Sequence, residues 1–433
     1  MSALRARSSL LRGSPNASFR DRVRAVGRRA SHVVPRSATV HTASELVDWL
    51  KENGARIDAV EVRTVEVPSA GRPLDVVVAA RPLAPGEVAF SVPEHLVLTL
   101  DRIFESEFVA ELLTTDKLSE LACLALYLMY EKKLGKKSFW YPYIKELDRQ
   151  RARGPQAVES PLLWSNEELT GLLQGSPLLP AVRGRLAGIR KEYEALDTVW
   201  FMAGSLFNKY PFDLPTETFS FELFKQAFSV VQASLVHLQG VPIAKRFALV
   251  PMGPPLLAYS STSKAMVTFN QDNRAVELVM AGPAGAGAPL AAWCGPQPNN
   301  RLLLNYGVVD EHNPFDKLQV AAVSFAEDAP PLEPRAEEAA LAALMGYVRR
   351  RQAAYPHPLW RDLEIIADPA SSPRAKVAAR LTKIEKSILA AAVEALAARG
   401  APTDPDVIAA AEARAELSGL QMGSFFDGQG HCG

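Results

Sequence analysis

The stretch 293–316, which we call the opening stretch, constrains the fold of this chain more than any other segment. Two polar turns flank a short apolar run within 24 residues. The first turn covers 295–300 and leads into the apolar run 302–304, which Asn305, Tyr306 and Gly307 follow. The second turn covers 310–314. This pattern predicts a short buried segment that delivers one tyrosine, Tyr306, at a bend that glycine permits.

Length and composition are those of a globular protein with several structural units. The chain has 433 residues, of which 48% are hydrophobic and 22% charged. The most apolar stretch, 387–398, is interrupted by Glu394. It falls short of the ~18 unbroken apolar residues that a membrane helix needs, so we expect no membrane segment.

The charges are segregated along the chain although the net charge is zero. Residues 1–40 carry nine arginines and a single acidic residue, Asp21. An arginine- and serine-rich leader that is nearly free of acids is typical of an organelle transit peptide; a disordered nucleic-acid-binding tail is the alternative. The remaining residues carry 39 basic and 47 acidic side chains. We therefore expect no direct binding of duplex nucleic acid, which depends on neutralising phosphates.

The cysteines predict neither a zinc cluster nor a disulfide framework. Cys123, Cys294 and Cys432 lie far apart, and the sequence has no Cys-x-x-Cys motif.

Hydrophobic periodicity divides the chain into β-like and helical regions. It predicts a helix over 42–53, strands over 59–67, 74–79 and 88–92, and a helical block that includes 166–173, 186–200 and 221–238. Strands follow at 247–251, 265–269, 276–280 and 289–293, and helices at 336–352, 373–396 and 405–417. The strands 265–269 and 276–280 alternate like a hairpin. Ser165 and Ser372 are the predicted N-caps of the helices that begin at 166 and 373. The aromatic cluster at 140–143 suits a core better than a base-stacking platform.

The glycine-rich stretch 281–289 indicates a flexible turn. It lacks the Gly-Lys-Ser/Thr end of a phosphate-binding loop, and no helix pattern follows it.

The opening stretch resembles the end of the catalytic domain in SET-domain protein methyltransferases of the Rubisco large-subunit methyltransferase type. Their pattern N-x-x-L-L-x-x-Y-G, followed by N-P-x-D, is matched by Asn299 or Asn300, Leu302, Leu303, Tyr306, Gly307, Asn313, Pro314 and Asp316. The resemblance implies an α+β fold, in which a SET β-fold of small sheets with a pseudoknot is split by a helical insert and followed by a helical lobe.

The resemblance also implies a division of the chain. The expected units are a leader (1–40), the first SET part (41–109), the helical insert (110–238), the second SET part (239–328), a helical C-terminal lobe (329–420) and a tail (421–433). In the family this lobe binds the substrate protein. A helical cap without a partner is the alternative interpretation.

Such enzymes transfer a methyl group from S-adenosylmethionine to a neutral, desolvated lysine amine, so alignment and electrostatics carry the rate and no metal is needed. The resemblance implies that Tyr306 lies at the reacting methyl group. It implies cofactor-binding positions at Gly71, Leu74, Ala258, Tyr259 and Phe315. A buried tyrosine that only packs in the core is the alternative for Tyr306.

Four places depart from the family pattern. In the bend 71–74 one glycine remains, and Pro73 removes a backbone donor that a second glycine would have kept. No arginine follows Ser234, and Ala258 and Tyr259 stand where the family has Asn-His. The segment 293–295 reads Trp-Cys-Gly where the family has Ser-Tyr-Gly. Losing the asparagine amide would cost about 1–3 kcal/mol, or ten- to a hundredfold in affinity. The sequence therefore predicts weakened or lost binding of S-adenosylmethionine.

With these departures, the sequence resembles SET-domain proteins of the plastid transcriptionally active chromosome. Those proteins accompany the plastid-encoded RNA polymerase. The resemblance is strongest over 247–316. It implies a location in the chloroplast stroma or nucleoid and protein partners in the RNA polymerase complex. Two hypotheses follow: a catalytically weak accessory subunit that supports plastid transcription, or an active protein-lysine methyltransferase that modifies a lysine of a stromal protein.

Overall fold

The computed structural model of the protein describes residues 43–65, 74–105, 118–149, 157–196, 220–318 and 334–410. The predicted leader and tail lie outside these residues. Among the described residues, no helix is long and apolar enough to cross a membrane.

The N-terminal part is a helix followed by three short strands. These elements are α1 (Ser44–Glu52), β1 (Val60–Val65), β2 (Leu74–Ala79) and β3 (Val88–Pro93). Leu46 and Leu50, one turn apart on α1, are buried. β1 and β2 pair antiparallel, from Val60 opposite Ala79 to Val65 opposite Leu74. The predicted strands are confirmed to within two residues at each described end.

A block of helices follows and forms much of the main core. It contains α2 (Leu100–Glu105), α3 (Glu120–Leu134), α4 (Tyr141–Arg149), α5 (Asn166–Leu173), α6 (Leu178–Ala195) and α7 (Phe221–Ser234). The predicted cap of α5 is confirmed: Ser165 and Glu168 form a capping box. Two predicted bounds were wrong. α6 begins at Leu178 instead of Leu186, and α7 ends at Ser234 instead of Leu238.

The early end of α7 has a tertiary cause. The next three residues form β4 (Leu235–His237), which pairs antiparallel with β5 (Phe247–Leu249). The backbone groups that a longer helix would satisfy are satisfied in this ladder instead.

Four further strands complete the sheets. They are β6 (Ala258–Ser260), β7 (Met266–Asn270), β8 (Ala275–Val279) and β9 (Ala291–Trp293). β7 and β8 form the predicted hairpin, and β8 also pairs with β3, so that one sheet joins the two halves of the β-region. β6 pairs in parallel with β9. The glycine-rich stretch 281–289 connects β8 to β9.

The apolar run of the opening stretch is helical. α8 (Asn299–Tyr306) buries Leu302, Leu303 and Leu304. Gly307 ends the helix in the left-handed conformation, with φ of 72°. The predicted glycine bend is therefore a helix cap.

Three helices form a C-terminal lobe: α9 (Pro334–Ala353), α10 (Leu359–Ala367) and α11 (Pro373–Ala398). Ser372 Oγ accepts a hydrogen bond from Ala375 N at 3.2 Å, which confirms the predicted cap of α11. The lobe has its own apolar cluster, which includes Met345, Val348 and Leu389. Of the predicted helix 405–417, residues 405–410 are helical and the others lie outside the described residues. The architecture confirms the predicted α+β class.

Candidate functional site

Tyr306 is the last residue of α8 and is held where the chain passes close to the helical insert. Val158 N donates a hydrogen bond to Gly307 O at 2.9 Å. A Cβ atom on Gly307 would lie 1.9 Å from Val158 O. Only glycine fits both the positive φ and this close approach, so position 307 sets where Tyr306 lies.

The second polar turn fixes the start of the same helix. Asn299 is 1% exposed. Its Nδ2 donates to Asp316 Oδ2 at 2.6 Å and to Asp310 O at 2.9 Å, and its Oδ1 accepts from Asp310 N at 2.9 Å. Asp316 Oδ1 in turn accepts from Asn299 N at 2.9 Å. These contacts connect the first polar turn to the segment 310–316, which we call the closing turn.

Replacing Asn299 with alanine is expected to lower the free energy of unfolding by about 2–4 kcal/mol, because it leaves buried backbone groups and Asp316 without partners. Asn300→Ala is the matched control, since Asn300 Oδ1 has no hydrogen-bond partner among the described residues. The control should cost under about 1 kcal/mol. Denaturant unfolding followed by circular dichroism measures both; equal losses would contradict this role of Asn299.

The hydroxyl of Tyr306 is paired with a side-chain amide. Gln297 Nε2 donates to Tyr306 Oη at 3.3 Å and to Cys294 O at 2.7 Å. Asn305 Nδ2 donates to Gln297 Oε1 at 3.3 Å. Burial raises the pKa of Tyr306 above its ordinary value, and burial raises the pKa of Cys294 to about 11. Both groups are therefore neutral near pH 7, and the Tyr306 hydroxyl can still orient a polar ligand.

Tyr259 lies against Tyr306. Their ring centroids are 4.6 Å apart with an interplanar angle of 46°. The hydroxyl of Tyr259 donates to Leu235 O at 2.5 Å. Leu235 follows Ser234 at the end of α7, where the family pattern has arginine. One side chain thus connects three predicted positions: the histidine position, the arginine position and the tyrosine.

The parallel pairing of β6 with β9 explains this arrangement. Ala258 lies opposite Ala291, Tyr259 opposite Ala292, and Ser260 opposite Trp293. Segment 258–260 therefore lies beside 291–293, and Cys294 N donates to Ser260 O at 3.4 Å. The methyl group of Ala258 offers neither donor nor acceptor in place of the family's asparagine amide.

The other predicted cofactor positions lie around this centre. Leu74 is buried at the start of β2, and Phe315 is 38% exposed in the closing turn. Among the described residues, neither forms a ring contact or side-chain hydrogen bond with Tyr306. Gly71 lies outside the described residues. The structure brings Tyr259 and Tyr306 into direct contact and places Ala258 beside them on β6.

Sequence reasoning missed Gln297 as a contact of Tyr306. The available signal was an amide side chain between Pro296 and Pro298, nine positions before the tyrosine. Polar turns carry many amides, so this signal does not identify a partner by itself. In the part of the chain that the structure describes, no group of three or more His, Cys, Asp or Glu side chains could hold a metal ion.

Solved structures of Rubisco LSMT have the same architecture. The structure of Rubisco LSMT bound to sinefungin and monomethyllysine superposes with a TM-score of 0.63 at 18% identity, covering 90% of this chain and 99% of that one. The structure bound to AdoMet gives a TM-score of 0.61 at 18% identity, covering 88% and 97%. The chain has an LSMT-like SET fold. Residues 291–389 also match the Rubisco LSMT substrate-binding family model, which begins at β9 and includes most of α11.

Sequence relatives are methyltransferases or SET-domain proteins. Mouse SET domain-containing protein 4 is 26% identical over 72% of this chain and 67% of its own length. The Xenopus tropicalis actin-histidine N-methyltransferase is 24% identical over 64% and 44%. The Xenopus laevis N-lysine methyltransferase setd6 is 26% identical over 53% and 50%. The chain thus spans half or less of the last two relatives. The chain is thus similar in sequence to SET-domain proteins and protein methyltransferases.

Proposed function

We propose that this chain is a plastid SET-fold protein that supports transcription as an accessory subunit of the plastid-encoded RNA polymerase, with a weakened or lost methyltransferase site. The contact of Tyr259 with Tyr306 and Leu235 carries the weakened-site part of the proposal, because the side chain at the histidine position packs on Tyr306 and its hydroxyl is bonded to a backbone carbonyl.

The residues present fit S-adenosylmethionine poorly. Ala258 cannot supply the amide that the family uses, and the hydroxyl of Tyr259 is already bonded to the carbonyl of Leu235. Leu235 offers no guanidinium at the expected arginine position. Because the fit is poor, we derive no reaction step through the cofactor.

Support for the plastid role comes from the sequence. The leader 1–40 has the composition of a transit peptide, and 247–316 resembles proteins of the plastid transcriptionally active chromosome. The acidic balance of the remaining chain favours protein partners over direct nucleic-acid contact. Exposed apolar side chains on α10, Leu359, Trp360 and Leu363, offer a surface for such a partner.

An active protein-lysine methyltransferase is the second candidate. The retained Tyr306, whose neutral hydroxyl is held by Gln297, favours it. So does the similarity to named methyltransferases.

Purification of the plastid RNA polymerase from cells that carry a tagged form of this chain tests the accessory role. We expect stoichiometric co-elution that survives 0.3 M salt, and unchanged co-elution of Tyr306→Phe. Free chain in every fraction would refute the accessory role. Loss of plastid transcription with Tyr306→Phe would instead favour the enzyme.

A further inference from the structure

The long helix α11 joins the C-terminal lobe to the rest of the molecule. Near its start, Arg374 pairs with Glu159 at 3.0 Å and with Glu168 at 2.6 Å. Shortly before its midpoint, Lys383 pairs with Glu311 of the closing turn at 2.6 Å. These ion pairs are partly exposed, and such pairs contribute little each.

One group at this joint differs, because it is a buried carboxyl. Glu385 on α11 is 3% exposed. Its Oε1 accepts from Ser176 Oγ at 2.9 Å, and its Oε2 accepts from Tyr355 Oη at 2.9 Å. Ser176 lies between α5 and α6 of the insert, and Tyr355 follows α9 of the lobe. A single side chain thus bridges lobe and insert.

The backbones on either side of Glu385 are in close contact. A Cβ atom on Gly175, whose φ is +85°, would lie 2.6 Å from Ala354 O. Arg351 Nη2 also donates to Gly175 O at 3.2 Å. The joint around Glu385 is therefore tightly packed, and solvation of an ionised carboxylate requires the lobe to move away.

The charges that face Glu385 only partly offset its burial. Burial is the largest influence and raises the pKa of Glu385 to about 7, with a smaller upward contribution from Asp316 of the closing turn. Hydrogen bonds from Tyr355 and Ser176 and the charge of Arg351 act in the opposite direction. Lys386 lies 5.4 Å from the Tyr355 ring but is paired with Asp362 of α10 at 2.6 Å.

We propose that Glu385 is a proton-controlled latch that holds the C-terminal lobe on the helical insert. Protonated, the carboxyl remains buried between Ser176 and Tyr355, and the lobe is docked. Ionised, it favours an undocked lobe in which water solvates it. The latch is independent of methyl transfer and adds a regulated joint to the proposed accessory role.

The direction of the pH effect follows from the two states. In the undocked lobe the pKa of Glu385 returns towards its ordinary value of 4.5, whereas in the docked lobe it is about 7. Because the pKa is raised in the docked state, Glu385 contributes its full stabilisation of docking below pH 4.5. This stabilisation is lost as the pH rises towards 7. Opening here means undocking of the lobe from the insert. The equilibrium constant for opening should therefore increase roughly 50- to 100-fold between pH 5 and pH 8.

Hydrogen exchange of the full chain, corrected for the intrinsic pH dependence of amide exchange, measures this opening in peptides from 377–389. Wild type should show the increase, and Glu385→Gln should be flat because glutamine does not titrate. Glu394→Gln, an exposed change on the same helix, should retain the wild-type increase. An increase that persists in Glu385→Gln, or a flat wild type, overturns the latch.

A second variant keeps the test decisive if Glu385→Gln does not fold. Tyr355→Phe removes one hydrogen bond that favours the ionised carboxyl, so the pH at which opening levels off should rise. No movement of that pH would overturn the proposal.

Discussion

Replacing Ala258 with asparagine and Tyr259 with histidine is expected to increase the affinity of the chain for S-adenosylmethionine about ten- to a hundredfold. The double change restores an amide on β6 and removes the hydroxyl that bonds Leu235 O. A polar group of the cofactor that regains a buried amide partner contributes about 1–3 kcal/mol. Adding Leu235→Arg should increase the affinity further, because the guanidinium can pair with the cofactor carboxylate.

Calorimetric titration of the wild type and these variants measures the effect. Tyr259→Phe is the matched control: it removes the bond to Leu235 but restores no amide, so it should gain much less than the double variant. Micromolar binding by the wild type, abolished by Tyr306→Ala, would sink the weakened-site interpretation. No gain in the double or triple variant would show that the site is lost for another reason.

Replacing Gly307 with alanine is expected to lower the free energy of unfolding by about 2–5 kcal/mol. The left-handed conformation costs a residue with a Cβ roughly 1–2 kcal/mol, and overpacking against Val158 adds about 1–3 kcal/mol. The new methyl group would meet a backbone carbonyl at 1.9 Å, which cannot rotate away. The backbone movement that relieves this clash should displace Tyr306 or open the contact between α8 and the insert.

Gly282→Ala provides the control for this prediction. Gly282 has no atom within 4 Å of an added Cβ and is not among the glycines with positive φ. Its replacement should change stability by less than about 0.5 kcal/mol. Denaturant titrations of both variants compare the two positions directly. A loss under about 1 kcal/mol for Gly307→Ala would contradict the close approach to Val158.

The two sets of variants separate the fold from the reaction. Asn299 and Gly307 act on the position of α8, whereas Ala258 and Tyr259 act on the groups that meet Tyr306. We expect changes at Asn299 and Gly307 to lower stability, and changes at Ala258 and Tyr259 to raise cofactor affinity. Both results together would indicate a stable SET fold with an altered cofactor site. This is the outcome that the proposed accessory role requires.

The sequence by itself determined the elements whose causes are local. Ser165 and Ser372 cap their helices because side chain and backbone partner are three residues apart. The alternation over 265–280 predicts the β7–β8 hairpin for the same reason. Gly307 was recognised as a special position because its positive φ is a property of one residue. The α+β class followed from the resemblance of 293–316 to SET-domain methyltransferases.

Only the tertiary structure decided which side chains meet. Tyr259 contacts Tyr306 because β6 pairs with β9 and α8 follows β9, and its hydroxyl reaches Leu235, 24 positions earlier. Glu385 bonds Ser176 across 209 positions. Periodicity places residues on a face of one element but carries no information about the element opposite. The opening stretch therefore predicted where Tyr306 would lie, and the packing of distant segments determined what surrounds it.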